Sequence, residues 1–493
     1  MRGGCRRLLA SGIMSAATLA LGHGAIAGAA TVPSGLQPPF GTNWPVYHQN
    51  LMSSGVAPVS TDLTPLRPGW SSPTLDGGIF GEPLVADGRV VVATANDTVY
   101  ALSAQTGSIL WSTHLGTPVP IANLPCSSLV SPVVGITGTP YIDLARNEIF
   151  VVTMEERTSF AAQHRLYGLN LFNGSIELDE SADPPGSQPL LEFQRSGLTT
   201  SRGRIIVSYT GFNDCGRYHG WVLGIPEAGG PMRTFETATA PGDYQGGVWM
   251  GGAAPVVDPA GNIWFATANS MDTNPHRYDG SNAVIELSPG FRVKQTFGDP
   301  NWLADDSGDL DLGSTNATLV NGFVFIASKA GDAYLARQRH LGGVGGQVAS
   351  LALCRPARHG GSAWGGTAVD GSVLYVNCDD GEPGNAHFSH ITAVQVTKRR
   401  PYLHVLWRST TVRTAGPPIV AGGMVWTILL DGHEVVGLSE ASGQPEVEEP
   451  VGVIANHFPT PAVADGLLLV PSLKGVLAFV GPWGLPPAPS PAP

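Results

Sequence analysis

Few groups in this chain can do chemistry, so the ones that can are informative. Lysine occurs only at Lys294, Lys329, Lys398 and Lys474, against 23 arginines. Two acids flank one leucine in Asp309-Leu-Asp311-Leu-Gly313, Asp214 leads a Cys-Gly pair, and Asn269 closes the run Phe265-Ala-Thr-Ala-Asn269. Carboxylates and carboxamides are hard oxygen donors for calcium. A placed carboxylate can also take a proton, and a lysine can stabilise negative charge on a carbonyl oxygen. Each residue also has a structural reading. Two acids ahead of a glycine are common turn composition, asparagine caps turns, and a lysine beside a glycine is most often on the surface.

Other chemistries find less support. The chain has no G-x-S-x-G elbow, no P-loop, no H-E-x-x-H and no C-x-x-C-H. Asp305-Asp306 and Glu155-Glu156 have the residue types of a glycosidase, yet nothing in their spacing makes them face each other. His387-Phe-Ser-His390 is an i, i+3 pair in a Gly-rich stretch with no adjacent acid or cysteine to complete a metal site. His219, His276, His340, His359 and His457 read as lone loop histidines.

The elements that must position these groups are short strands. The chain holds 64 Gly and 41 Pro, 105 of 493 residues, with 13% charged and 42% hydrophobic residues. That is about twice the usual Gly-plus-Pro content, so the chain turns often and is not mostly helix, and its hydrophobic share excludes a disordered polymer. The clearest unit runs from Pro83 to Trp111: strand, Asp87-Gly88 turn, strand, Asn96-Asp97 turn, strand, Gln105-Thr-Gly107 turn, strand. Its start recurs at Pro140, Thr199, Pro255, Ala317, Thr367, Pro418 and Pro461, with turn pairs such as Asn321-Gly322, Asp370-Gly371 and Asp465-Gly466 in register. Repeated four-stranded units predict an all-β propeller, because one sheet alone cannot bury both faces. Eight starts predict eight blades; seven is the alternative count, since the fifth and eighth units match least well. The last unit has room for three strands, so the segment Leu63-TPLRPG-Trp70 is expected to supply its outer strand and close the ring.

The propeller is therefore expected over 63–480, after an N-terminal segment 30–62 and before a Pro-rich disordered tail, 481–493. Residues 1–29 read as a secretory signal: Arg2, Arg6 and Arg7, an uncharged stretch from Leu8, then an A-x-A site. No other run reaches transmembrane length, so the mature chain is expected to be secreted or held in the cell envelope or periplasm. Four cysteines remain. Cys354 and Cys378 lie 24 residues apart across one turn-and-strand unit, leaving Cys126 with Cys215, although the other two connectivities stay open. A net charge of −12 argues against nucleic acid and against anionic lipid as partners.

The stretch Tyr100-Ala-Leu-Ser-Ala-Gln-Thr-Gly-Ser-Ile-Leu-Trp111 closely resembles the tryptophan-docking repeat of quinoprotein alcohol dehydrogenase-like propellers. Asn43-Trp44-Pro45-Val-Tyr47-His-Gln-Asn50 resembles their N-terminal segment, and the likeness covers residues 40 to 480. That family holds dehydrogenases using pyrroloquinoline quinone (PQQ) with calcium, as well as non-catalytic scaffolds. The resemblance implies roles for five residues. Asp214, in Gly211-Phe-Asn-Asp214-Cys-Gly216, and Asn269 match the calcium ligands. Trp249, in Gly246-Gly-Val-Trp249, matches the cofactor's aromatic floor. Asp311 matches the catalytic base beside the metal, and Lys329, in Ser328-Lys329-Ala-Gly331, the cation facing the quinone. The chain departs from the family in having Asp rather than Glu at 214, no Cys-Cys pair and no haem motif. The implied function is a PQQ- and calcium-dependent dehydrogenase oxidising an alcohol or sugar hydroxyl, with a separate electron acceptor. The alternative is a non-catalytic propeller that binds a protein or envelope partner.

Overall fold

Short runs of β-branched and aliphatic residues between Gly, Asn and Asp turns make nearly every regular element of the described residues a strand of two to eleven residues. The computed structural model describes residues 39–59, 61–126, 131–271, 277–354, 361–379, 389–409, 414–455 and 458–489. The expected signal segment, 1–29, lies outside them, as do His276, His359, His387 and His457. Eight antiparallel sheets follow one another along the chain. The innermost strands of blades 1 to 8 begin at Leu84, Tyr141, Thr199, Val256, Thr318, Ala368, Ile419 and Ala462, each within one residue of the start read from sequence. The protein is an eight-bladed β-propeller.

Blade 8 closes the ring. Its inner three strands are Ala462–Ala464, Leu467–Ser472 and Gly475–Val480, and its outer strand is Arg67–Ser71 from the beginning of the chain. Arg67 pairs with Val480 and Ser71 with Leu477. No edge strand is left where the circle would otherwise open.

Neighbouring blades are keyed together by tryptophan on glycine. Trp111, on the outer strand of blade 1, donates its indole N–H to the Leu171 carbonyl of blade 2 at 3.0 Å. Its ring covers Gly174, whose φ is +72° and whose position leaves no room for a Cβ. Trp70 meets Gly107 and Ala104 in the same way across the closure, and Trp407 meets Gly443 and Glu440 between blades 6 and 7.

The axis is filled by the N-terminal segment. Trp44, Val46, Tyr47 and His48 are buried. Carbonyls of Pro45, Leu51, Ser54 and Gly55 accept from the inner-strand amides of Ile142, Val257, Val369 and Val420, and Trp44 forms an antiparallel bridge with Val85. The segment thus satisfies backbone groups of blades 1, 2, 4, 6 and 7 that face the channel.

Two disulfides are present, Cys126–Cys215 and Cys354–Cys378, the pairing favoured by spacing. Among the described residues no helix is long and apolar enough to cross a membrane.

Gly174→Ala is expected to lower unfolding stability by about 2–4 kcal/mol, from left-handed backbone strain plus displacement of the Trp111 ring. Gly186→Ala is the control: φ is +83° there too, but nothing lies near its Cβ position, so only the backbone cost of about 1 kcal/mol should appear. Equal midpoints in denaturant for the two variants would refute the docking argument.

Candidate functional site

In each blade the second-to-third-strand turn and the connection to the next blade lie at the same end of the sheet. Asp214, Asn269 and Lys329 are on second-to-third-strand loops of blades 3, 4 and 5. Trp249 and Asp311 are on the connections from blade 3 to 4 and from blade 4 to 5. Topology therefore delivers all five to one face, and the contacts bring four of them into one cluster.

Asp311 is its centre. A seven-residue helix, Trp302–Gly308, ends at Asp309, whose φ of +53° turns the chain sharply inward. The Leu312 amide then donates to Asn282 Oδ1 at 2.6 Å, and the Asp311 carbonyl accepts from the Lys329 amide at 2.9 Å. So held, the Asp311 carboxylate is 3% exposed. It accepts from the Asn269 amide at 2.9 Å (Oδ1) and lies 3.5 Å from Lys329 Nζ (Oδ2). The ammonium also reaches the exposed Asp309 carboxylate at 2.6 Å.

Asn269 links this pair to Asp214. Its Nδ2 donates to Asp214 Oδ2 at 3.3 Å, while its Oδ1 is buried with no hydrogen-bond partner. Asp214 is fixed from three further directions. Tyr218 donates to Oδ1 at 2.5 Å, Gln245 Nε2 donates to the backbone carbonyl at 2.7 Å, and Cys215 is tied to Cys126 on the blade 1–2 connection.

Trp249 joins through aromatic rings. Its ring centroid is 5.8 Å from that of Trp364 and 5.7 Å from that of Phe458, and Lys329 Nζ lies 5.6 Å from the Trp364 centroid. The guanidinium of buried Arg195 stands 5.7 Å from the Phe458 ring. Tyr218, Gln245, Trp364, Phe458 and Arg195 were not singled out from sequence. Trp364 and Phe458 were findable, since each stands three residues before a blade start, at Thr367 and Pro461. Gln245 carries no such signal.

The buried charges act on one another. Burial pushes the Asp311 carboxyl up to about 6, against Lys329 and the Asn269 N–H, which pull it down; Asp309 and Asp214 add to the rise. For Lys329 burial disfavours the ammonium, but Asp311 and Asp309 outweigh it and its pKa is raised. Asp306, accepting from Ser270, Ser281 and Asn282, is pushed up to about 7 by burial.

The glycosidase-type pairs do not face one another. Asp306 braces the Asn269 loop while Asp305 turns toward Asp299. Glu155 is taken by Thr153, Gln163 and Tyr167, and Glu156 by Asn123. Among the described residues no three His, Cys, Asp or Glu side chains cluster as a metal site. The oxygen donors near Asp214 are two carboxylates and carboxamides instead.

Residues 67–176 match the family profile described as outer membrane protein assembly factor BamB, of PQQ-repeat type. No curated protein sequence matches significantly. Among solved structures, quinohemoprotein alcohol dehydrogenase from Comamonas testosteroni is similar with a TM-score of 0.68 at 13% identity, over 91% of this chain and 82% of that one. A europium-containing methanol dehydrogenase gives 0.66 at 13%, over 89% and 97%. BamB from Moraxella catarrhalis gives 0.52 at 15%, over 84% and 97%. At such identities the likeness is one of fold. The chain has the PQQ-repeat propeller fold of quinoprotein alcohol dehydrogenase-like proteins.

A carboxyl with a raised native pKa holds a proton that the unfolded chain releases, so its contribution to stability falls as pH rises. For Asp311 the fall spans pH 3.8, the ordinary value, to about 6, and is on the order of 3 kcal/mol. Asp311→Asn should remove that share. Denaturation at pH 4.5 and 7 should show the variant losing less stability between them than the parent; equal losses would contradict the buried placement.

Proposed function

We propose that the cluster is a cofactor site and that the protein is a PQQ- and divalent-cation-dependent dehydrogenase of an alcohol or sugar hydroxyl. The observation that carries this is Asn269. Its backbone N–H and its carboxamide Nδ2 bond to the carboxylates of Asp311 and Asp214, while Oδ1 is left buried and unpaired. An acceptor stranded beside anions suits a hard cation. Asp214, Asn269 and Asp311 would hold calcium, Trp249 would floor the flat cofactor, and Lys329 would face it.

When bound, the cofactor would supply a hydride acceptor and the cation a Lewis acid. The chain's own residues supply the proton chemistry and the positioning. Asp311, a buried carboxylate held by the Asn269 N–H and lying beside the Lys329 ammonium, would take the hydroxyl proton. Lys329, kept cationic, stabilises negative charge developing beside it. Trp249, Trp364 and Phe458 keep the surroundings apolar, which strengthens both effects. Electrons would leave to a separate acceptor, since the chain has no haem motif. Two disulfides are consistent with a secreted or periplasmic setting.

One observation favours the scaffold reading. The hairpin Glu148–Thr158/Ala161–Asn170 is the longest among the described residues, and Phe160 at its tip, on the face that carries the cluster, is 90% exposed. With the BamB-type match it suits a propeller that presents loops to a protein or cell-envelope partner.

Titration of PQQ into purified protein, followed by tryptophan quenching with and without calcium, tests the choice. One saturable, calcium-dependent site per chain is expected. Absence of binding by a folded sample would leave the scaffold. In a loaded sample Asp311→Asn should bind PQQ and lose about 10²–10⁴-fold in kcat. Full turnover by that variant would remove Asp311 as the base.

A further inference from the structure

Asp214 is one methylene shorter than the glutamate that the resemblance places at this position, which pulls one oxygen donor back. The structure sets another residue beside it. Gln245 is 5% exposed and holds a left-handed φ of +73°, a conformation that a non-glycine residue adopts only when its surroundings impose it. The imposition is visible on both sides. The short strand Tyr244–Gln245 pairs with Ser270–Met271, setting Gln245 opposite Ser270 and next to Asn269. On its other side Gln245 bridges to His219, within the loop that carries Asp214.

Gln245 therefore lies between the two loops that present Asp214 and Asn269. Its carboxamide is used the way that of Asn269 is used. Nε2 donates to the Asp214 carbonyl at 2.7 Å, and Oε1 is buried with no hydrogen-bond partner. Amide nitrogen and oxygen lie about 2.2 Å apart in one planar group, so anchoring the nitrogen on the Asp214 backbone carbonyl keeps the oxygen next to the loop that carries Asp214. Two carboxamides thus spend their donors on Asp214 and leave their acceptors empty. Asn269 does so on the Asp214 carboxylate and Gln245 on the Asp214 backbone carbonyl, and a buried acceptor without a donor is costly unless a cation meets it.

We propose that Gln245 Oε1 is a further protein ligand of the divalent-cation site, standing beside Asp214, Asn269 and Asp311 and making good the reach lost at Asp214. The proposal rests on the cofactor-site reading above. Calcium takes six to eight oxygens at about 2.3–2.6 Å in flexible geometry, so four protein residues leave positions for a cofactor or water. Calcium fits this set better than magnesium, which demands near-ideal octahedral geometry at shorter distances.

Calcium binding to the chelator-treated full chain, without PQQ and then with it, is measured by titration calorimetry on the parent, Gln245→Leu, Gln245→Glu and Asp214→Asn. One site per chain is expected in the parent, at least tenfold weaker in Gln245→Leu and tighter in Gln245→Glu, which keeps an oxygen and adds a charge. A residue that merely braced the Asp214 loop would behave otherwise, because Gln245→Glu loses the N–H donor and sets a carboxylate against the Asp214 carbonyl. Weakening in Gln245→Glu as large as in Gln245→Leu therefore overturns the proposal. So does unchanged binding in both while Asp214→Asn abolishes it, an outcome that leaves the cofactor-site reading standing. No calcium binding by the parent, with or without PQQ, overturns both. Should Gln245→Leu fail to fold, the sign of the change in Gln245→Glu decides alone.

Discussion

Everything at the functional face depends on one sheet being made from both ends of the chain. Arg67–Ser71 completes blade 8 by pairing with Gly475–Val480, and that pairing converts a row of eight sheets into a circle. A row would leave two open edges and no axis; a circle forces every blade to point its first strand inward. Tryptophan–glycine docking then fixes the angle between blades where it occurs, including across the closure itself, where Trp70 covers Gly107. The loops carrying Asp214, Asn269, Asp311 and Lys329 converge because the circle brings them there, since no local signal points them at one another.

Convergence brings a packing problem at the axis. Blades are narrowest there, and backbone must approach backbone. Gly251 and Gly365 meet so closely on the connections after Trp249 and Trp364 that a Cβ on Gly251 would strike the Gly365 amide. This proximity is what puts Trp249 and Trp364 side by side. The remaining space is taken by the N-terminal segment, whose Tyr47 hydroxyl accepts from the Gly366 amide at 3.0 Å. Aromatic cluster and axial segment thus share a wall, and the polar loops sit on a floor that is already solid.

Electrostatics sets what the cluster can do. Burial alone would neutralise Asp311, and the Lys329 ammonium alone would make it a weak base. Acting together, with the Asn269 N–H, they leave its carboxyl near 6. Asp309 contributes from solvent by sharing the ammonium, and so moderates the pull on Asp311. A buried ion pair of this kind gains little for stability over an apolar replacement.

Local periodicity determined a great deal by itself. Strand length, turn pairs and blade phase are properties of ten to twenty consecutive residues, so the eight starts, the ring closure and the docking tryptophan at 111 were legible in the sequence. The five candidate residues fall in chain order on consecutive blades, and alternation of strand direction, once the strands are placed, gives their loops a shared end. The favoured cysteine pairing followed from spacing, although only the fold excludes the other two. What tertiary structure alone decided is which groups meet and which are left unpaired. Trp364 and Phe458 read locally as aromatics ahead of a blade, and only the closed ring brings them together, with Trp249 edge-on to the Trp364 ring and tilted against Phe458. Gln245 reads as a turn residue before two glycines. Its empty oxygen exists because the Asp214 loop consumes its nitrogen across 31 residues of chain. Asn269 reaches Asp214 across 55 residues, and the Tyr47 contact spans 319. Separations of that size cannot be read from spacing, because they depend on how many blades lie between and on the angle at which each one docks.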